Sequence, residues 1–250
     1  MGLRHKHYDA GLGSILFYDL CRTLIVLIGV TLFRFRAYHA ERVPPRGPLL
    51  LIANHQSYLD PPLLGVCVPH RHTDFLARFG LFTSRALGWL IRTLHAMPIR
   101  QDQPDTVAMK EALRRLELGA AVLVFPEGSR SLTGNLQKFK RGVALLVKRS
   151  SCPVLPCAID GAHEAWPRGG RPRLLGTRIA VLYGKPIPHD ELMAHGADAA
   201  VARLEREVAS LLAELRERQA ARQAGRKPRL RTAVASPVTS RAGASSASTA

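Results

Sequence analysis

A chain of 250 residues with 46% apolar and 22% charged residues has the makeup of one folded domain, which excludes both a disordered polymer and a polytopic membrane protein. Thirty-six Lys and Arg against nineteen Asp and Glu leave a formal charge of +17, and that surplus calls for an anionic partner: nucleic acid, a membrane face or a phosphorylated substrate. Six of these positive charges lie unopposed after Gln219, so the remainder of the chain still carries +11.

The first element in chain order is the unbroken apolar run Thr23–Phe33, bracketed by Arg22 and by Arg34 and Arg36. As a helix it reaches roughly 16 Å, about half of a bilayer's hydrocarbon core. Extension back to Ser14 supplies the length but takes in Asp19 and Arg22, each costing roughly 2.5–3.5 kcal/mol on insertion. Residues 1–36 are therefore read as a membrane-associating segment, with two forms left open: a hydrophobic helix packed on the domain, or a monotopic anchor lying in the interface.

Residues 37–215 then alternate short apolar runs with helical patterns. Strands are predicted at Leu49–Ala53, Thr73–Ala77, Met97–Arg100, Ala120–Phe125, Val154–Ile159 and Arg178–Tyr183. Helices are predicted at Pro61–Val66, at Thr106–Leu118 behind an Asp105 cap, and at Phe139–Lys148. Val201, Leu204, Val208, Leu211, Leu212 and Leu215 form one helical stripe entered after Asp198. The alternation predicts a single α/β domain, a largely parallel mixed sheet flanked by helices, with function in loops at the carboxyl ends of strands. Residues 216–250, rich in Ala, Ser and Arg, read as a disordered basic tail. Cys21, Cys67, Cys152 and Cys157 show no paired spacing and read as free thiols in a reducing compartment.

Two strand ends carry chemistry. After LLLIA comes Asn54-His55-Gln56-Ser57-Tyr58-Leu59-Asp60. On a straight helix residues five apart point to different faces, so pairing His55 with Asp60 requires a turn, and Asp60-Pro61-Pro62 offers one. Such a turn sets the Asp60 carboxylate on one ring nitrogen and leaves the other as a base. The plainer reading makes Asp60 only a helix cap. After AAVLVF comes Pro126-Glu127-Gly128-Ser129-Arg130-Ser131, in which Gly128 admits close backbone approach and Arg130 offers a planar fork for phosphate. Standing alone, this segment reads first as a strand-to-loop turn with a solvated arginine.

Together the two segments resemble the lysophospholipid and glycerol-3-phosphate acyltransferase superfamily, most closely its lysophosphatidate acyltransferases. NHQSYLD matches that family's Asn-His-x4-Asp block and FPEGSRS its Phe-Pro-Glu-Gly block; Lys138–Gly142 and Val154–Ile159 fit later blocks in order. The resemblance covers roughly residues 40–190. In the intermediate block this chain has Arg78 where the family usually carries Lys, and His95 where it carries Gly.

The resemblance implies acyl transfer from acyl-CoA or an acyl-carrier protein, as co-substrate, to the free hydroxyl of a lysophospholipid, with no other cofactor and no metal. His55 and Asp60 would be catalytic, with Ser57 a loop hydrogen-bonder and not a nucleophile. Arg130, Arg100 and Lys140 would grip the acceptor phosphate, Gly128 and Ser129 would line the substrate site, and Glu127 would bond the glycerol or position Arg130. The partners implied are the lysophospholipid, the thioester and an anionic membrane surface, at the cytoplasmic face. Acylation of another lysolipid or of glycerol-3-phosphate would use the same chemistry. A non-catalytic lipid- or nucleic-acid-binding protein is the alternative of a different class; with 6% aromatic residues there are few platforms for base stacking, so no nucleic acid is expected.

Overall fold

The structure is a computed structural model that describes residues 11–99 and 105–225. Strands β1 (Arg36–Tyr38), β2 (Leu49–Ala53), β3 (Thr73–Arg78), β4 (Ala96–Ile99), β5 (Ala121–Val124), β6 (Val154–Asp160) and β7 (Ala180–Tyr183) form one sheet in the order β1-β7-β6-β2-β5-β3-β4. β2, β3, β4, β5 and β6 run parallel; β7 is antiparallel to β6, and β1 runs parallel to β7. This is the expected mixed, largely parallel α/β sheet, and each expected strand is present to within two residues. β1 is the addition: three residues, two of them exposed, carry too little apolar pattern to read.

β2 is apolar at every position because both its faces are covered. Leu49, Leu51 and Ala53 pack on one side with α1 (Leu12–Phe33), the wide helical turn Pro61–Val66 and α2 (Arg85–Thr93). Leu50 and Ile52 pack on the other with α3 (Asp105–Glu117), α4 (Gly142–Ser150) and α7 (Ala197–Gln223). The short helices α5 (Ala162–Ala165) and α6 (His189–Met193) and two 3-10 turns, Ala40–Arg42 and Phe79–Phe82, complete the helical elements among the described residues.

Two expected boundaries are corrected. The expected boundary at residue 36 falls at the start of β1, and Tyr18 and Phe33 of α1 belong to the core of the domain that follows. α1 is one continuous helix of 22 residues, long and apolar enough to cross a membrane by length and composition. One face nevertheless rests on the domain, and it holds the charges: Arg22 donates to the Pro69 carbonyl and pairs with Asp19, which also faces His72 at 3.8 Å. On the outer face Leu12, Leu16, Leu20, Leu24 and Leu27 are 48–59% exposed. The packed form left open by the sequence is thus present, a helix whose other face is bare leucine.

The second correction concerns the tail, which does not begin at residue 216. α7 continues to Gln223 because Arg216 and Gln219 have distant partners: Arg216 donates to Asp160 and to the Gly134 carbonyl, and Gln219 to Asp160 and the Arg178 carbonyl. The rest of that predicted tail lies outside the described residues. His95, the departure from the family's glycine, has φ +64°, the left-handed region that glycine favours, so the turn is kept with a side chain that comes within 3.6 Å of Asp74.

Gly161 closes β6 and starts the segment leading to β7. Its φ is +82°, and a Cβ there would lie 1.9 Å from the Arg178 carbonyl oxygen. Gly161→Ala is therefore expected to cost about 2 kcal/mol or more, read as a lower urea midpoint; an unchanged midpoint would show that this crossing is loose.

Candidate active site

β2 and β5 are parallel neighbours in register, Ile52 beside Val124, so the two chemistry-bearing loops leave the sheet side by side. Asn54 sets the first loop: its side chain donates to the Ile159 carbonyl and accepts from the Ile159 N–H, at 2.8 and 2.9 Å. His55 follows with both backbone groups bound to the second loop. Its N–H donates to Glu127 Oε1 and its carbonyl accepts from Ser131 N–H, each at 2.8 Å.

The turn between His55 and Asp60 forms as expected. Asp60 Oδ2 lies 2.7 Å from His55 Nδ1 and also accepts the N–H groups of Gln56 and Ser57 at 2.5 and 2.7 Å. Asp60 is fully buried and caps no helix with its side chain, so the plainer cap reading falls. A carboxylate only accepts, so Nδ1 carries the proton and Nε2 is left with its lone pair. The ring stacks on Phe125 at 4.1 Å between centroids, which fixes its plane. Ser57 is spent on the loop, donating from Oγ to the Trp166 carbonyl and accepting from Leu59 N–H.

A cavity of about 410 Å³ opens beside His55. Its polar wall holds Arg78, Gly128, Ser129, Arg130 and Lys140; its apolar wall holds Leu76, Met109, Ala112, Leu123, Val143 and Leu146. Arg130 is not a solvated arginine: it is 8% exposed, its guanidinium sits 3.4 Å over the Tyr58 ring, and its buried Nη1 has no hydrogen-bond partner among the described residues. Gly128 sits at φ +69°, the left-handed region that glycine favours, and the Lys140 side chain lies over it, with Cε 2.5 Å from where a Cβ would stand. Lys140 thereby runs across the loop to the cavity.

The structure brings His55, Asp60, Gly128, Ser129, Arg130 and Lys140 together. Arg100 lies outside the described residues. Glu127 makes its bonds to His55 and Gln137 among the described residues. It is buried, is absent from the cavity wall, and its Oε2 takes the N–H and side-chain amide of Gln137 at 3.2 and 2.9 Å. It positions His55. Gln137, which orients Glu127, and Arg78, on the cavity wall, were missing from the sequence-derived site; the Arg-for-Lys exchange at position 78 was the available signal.

The acyltransferase family model matches residues 34–160, about half of the chain, including both loops. The chain belongs to the acyltransferase family. Over 186 residues, 68% of this chain and 66% of the relative, it is 33% identical to the 1-acyl-sn-glycerol-3-phosphate acyltransferase of Pseudomonas aeruginosa. It is 29% identical over 142 residues to a chloroplastic 1-acyl-sn-glycerol-3-phosphate acyltransferase of Brassica napus, spanning 41% of that relative's length. The fold is similar to the crystal structure of the 1-acyl-sn-glycerophosphate acyltransferase of Thermotoga maritima, with a TM-score of 0.64, 24% identity, and coverage of 79% of this chain and 81% of that one.

Two outcomes follow from the geometry. His55→Ala removes the free Nε2 and should lower turnover by at least about 100-fold with the fold intact, and Asp60→Asn should lower kcat more than it raises KM. Steady-state kinetics with thermal melts check both; a His55→Ala protein keeping a tenth of the parent turnover would contradict the assignment.

Burial pushes the Glu127 carboxyl up to about 7, against the donors from His55 and Gln137, which favour its ionised form. A carboxyl held above its ordinary 4.5 binds its proton more tightly folded than unfolded, so the linked stability is complete below that value and lost as pH rises through about 7. Glu127→Gln cannot ionise, so its stability relative to the parent should improve between about pH 5 and about pH 8. Urea midpoints across that range measure it, and a pH-independent difference would contradict the shift.

Proposed function

We propose that this protein transfers a fatty acyl group from a thioester of coenzyme A or acyl-carrier protein to the free hydroxyl of a lysophospholipid, 1-acyl-glycerol-3-phosphate, giving phosphatidate. The observation that carries this reading is His55, with Nδ1 held by Asp60 and Nε2 free, at a cavity that pairs a basic wall with an apolar one. Nε2 takes the proton of the acceptor hydroxyl as its oxygen attacks the thioester carbonyl. The C–S bond then breaks, and the thiolate recovers the proton from the imidazolium, whose charge Asp60 stabilises. A thiol of pKa about 8.5 leaves with little help, so no covalent acyl-enzyme is needed, in keeping with a Ser57 whose hydroxyl is already engaged.

The acceptor phosphate fits the Arg130 fork, with Arg78 and Lys140 adding charge, while the acyl chain fits the wall of Leu76, Met109, Leu123 and Leu146. The names of the relatives support lysophosphatidate as acceptor. The bare outer face of α1 supports a monotopic seat in the membrane, and four buried free thiols suit its cytoplasmic side.

An acceptor panel of lysophosphatidate, glycerol-3-phosphate and zwitterionic lysolipids against one acyl-CoA tests the reading, with thiol release expected to be fastest for lysophosphatidate. Preference for a zwitterionic acceptor would overturn it. Arg130→Ala is expected to raise KM for the phosphate acceptor by roughly 10- to 150-fold, the worth of a charge-assisted hydrogen bond, with partial rescue by Arg130→Lys. Unchanged acceptor kinetics would remove Arg130 from the site.

A further inference from the structure

The loop from Trp166 to Arg178 joins α5 to β7 along the sheet edge that holds the site. At its start the Trp166 carbonyl accepts from Ser57, the Trp166 ring lies 5.2 Å from that of Tyr58, and Arg168 donates to the Arg130 carbonyl. At its end Ile179 N–H donates to the Phe33 carbonyl, the last residue of α1, and Arg36 N–H donates to the Ile179 carbonyl. The loop therefore runs from the acceptor-facing machinery to the end of the apolar helix.

Its middle is built unlike an ordinary solvated turn. Leu174 and Leu175 are adjacent and 54% and 76% exposed, the latter the most exposed large apolar side chain among the described residues. Arg171 and Arg173 precede them, both exposed, and Arg178 follows. From Gly161 to Lys185 the only acidic residue is Glu164. β7 begins beside the end of β6, at Ala180 opposite Asp160, and β1 begins beside β7, so exposed Arg34 and Arg36 rise at the same edge.

We propose that this loop is a second membrane-docking surface, in which Leu174 and Leu175 enter the headgroup layer of an anionic bilayer while the flanking arginines hold lipid phosphates. The charge alone would fit an acidic carrier protein equally well. The leucine pair decides for lipid, because two neighbouring aliphatic side chains held out into water gain by entering an acyl layer, and the loop is continuous with the bare face of α1. The catalytic edge then rests on the surface that presents the acceptor. The inference depends on the lipid-acceptor reading above.

The test uses the full chain. Its described cysteines are all buried, so Leu175→Cys takes an environment-sensitive fluorophore selectively. On vesicles of phosphatidylglycerol and phosphatidylcholine its emission should shift to the blue, whereas the same label at Leu118→Cys, beyond the start of β5 at the opposite sheet edge, should not move. The double variant Leu174→Ser/Leu175→Ser should partition onto these vesicles about tenfold less, with unchanged turnover on a short-chain, water-soluble acceptor. Arg171→Gln/Arg173→Gln should lose roughly fivefold per arginine at low salt and nothing at molar salt. If the parent floats with the vesicles while the label at 175 keeps its aqueous emission, the loop proposal falls and the α1 seat stands. If the parent does not bind at all, both fall. If the loop variants change only KM for an acyl-carrier-protein donor, the surface belongs to that protein and the lipid assignment is wrong.

Discussion

The site depends on how one backbone residue is held. His55 has its N–H on Glu127, its carbonyl on Ser131 and its ring nitrogen on Asp60, so the imidazole is fixed in position, in tautomer and in plane before any substrate arrives. Two of those three bonds cross from the loop after β2 to the loop after β5, and they exist because these strands are paired in parallel at the centre of the sheet. Parallel pairing sends consecutive loops out of the same edge, where one can orient the other. A general base contributes only when it is held within reach and in the correct protonation state, and the sheet supplies both conditions.

The same arrangement explains a buried carboxylate that does not line the cavity. Burial raises the cost of ionising Glu127, and the three donors from His55 and Gln137 offset only part of it. Asp60, Asp74 and Glu127 lie buried with their partners, while Arg78, Arg130 and Lys140 line the cavity. On the proposed function the excess of positive charge in the sequence has two destinations, a phosphate at Arg130 and a lipid surface at the rim.

Much of this was legible in the chain itself. A fully apolar strand followed by a polar loop marks a sheet centre opening onto a site, and LLLIA-NHQSYLD and AVLVF-PEGSRS do so side by side. What the sequence could not display is direction. A helix apolar all round, such as α1, carries no polar stripe to say which leucines face protein, so its packing became visible only through Tyr18, Asp19 and Arg22. Glu127 reads as a ligand for glycerol until its carboxylate is seen turned inward. The end of α7 was misjudged because Ala, Arg and Gln suit both a helix and a solvated tail; the choice is made by Asp160, more than fifty residues away in sequence.

The central claim is that Asp60 holds His55 with the proton on Nδ1 and the lone pair on Nε2. Nitrogen-15 NMR of the histidine ring measures this directly, since protonated and bare ring nitrogens differ widely in chemical shift. The account predicts that the neutral ring of His55 is protonated at Nδ1 in the parent protein and loses that preference in Asp60→Asn. A neutral His55 protonated at Nε2 in the parent would contradict it, because that nitrogen could then accept nothing from an attacking hydroxyl.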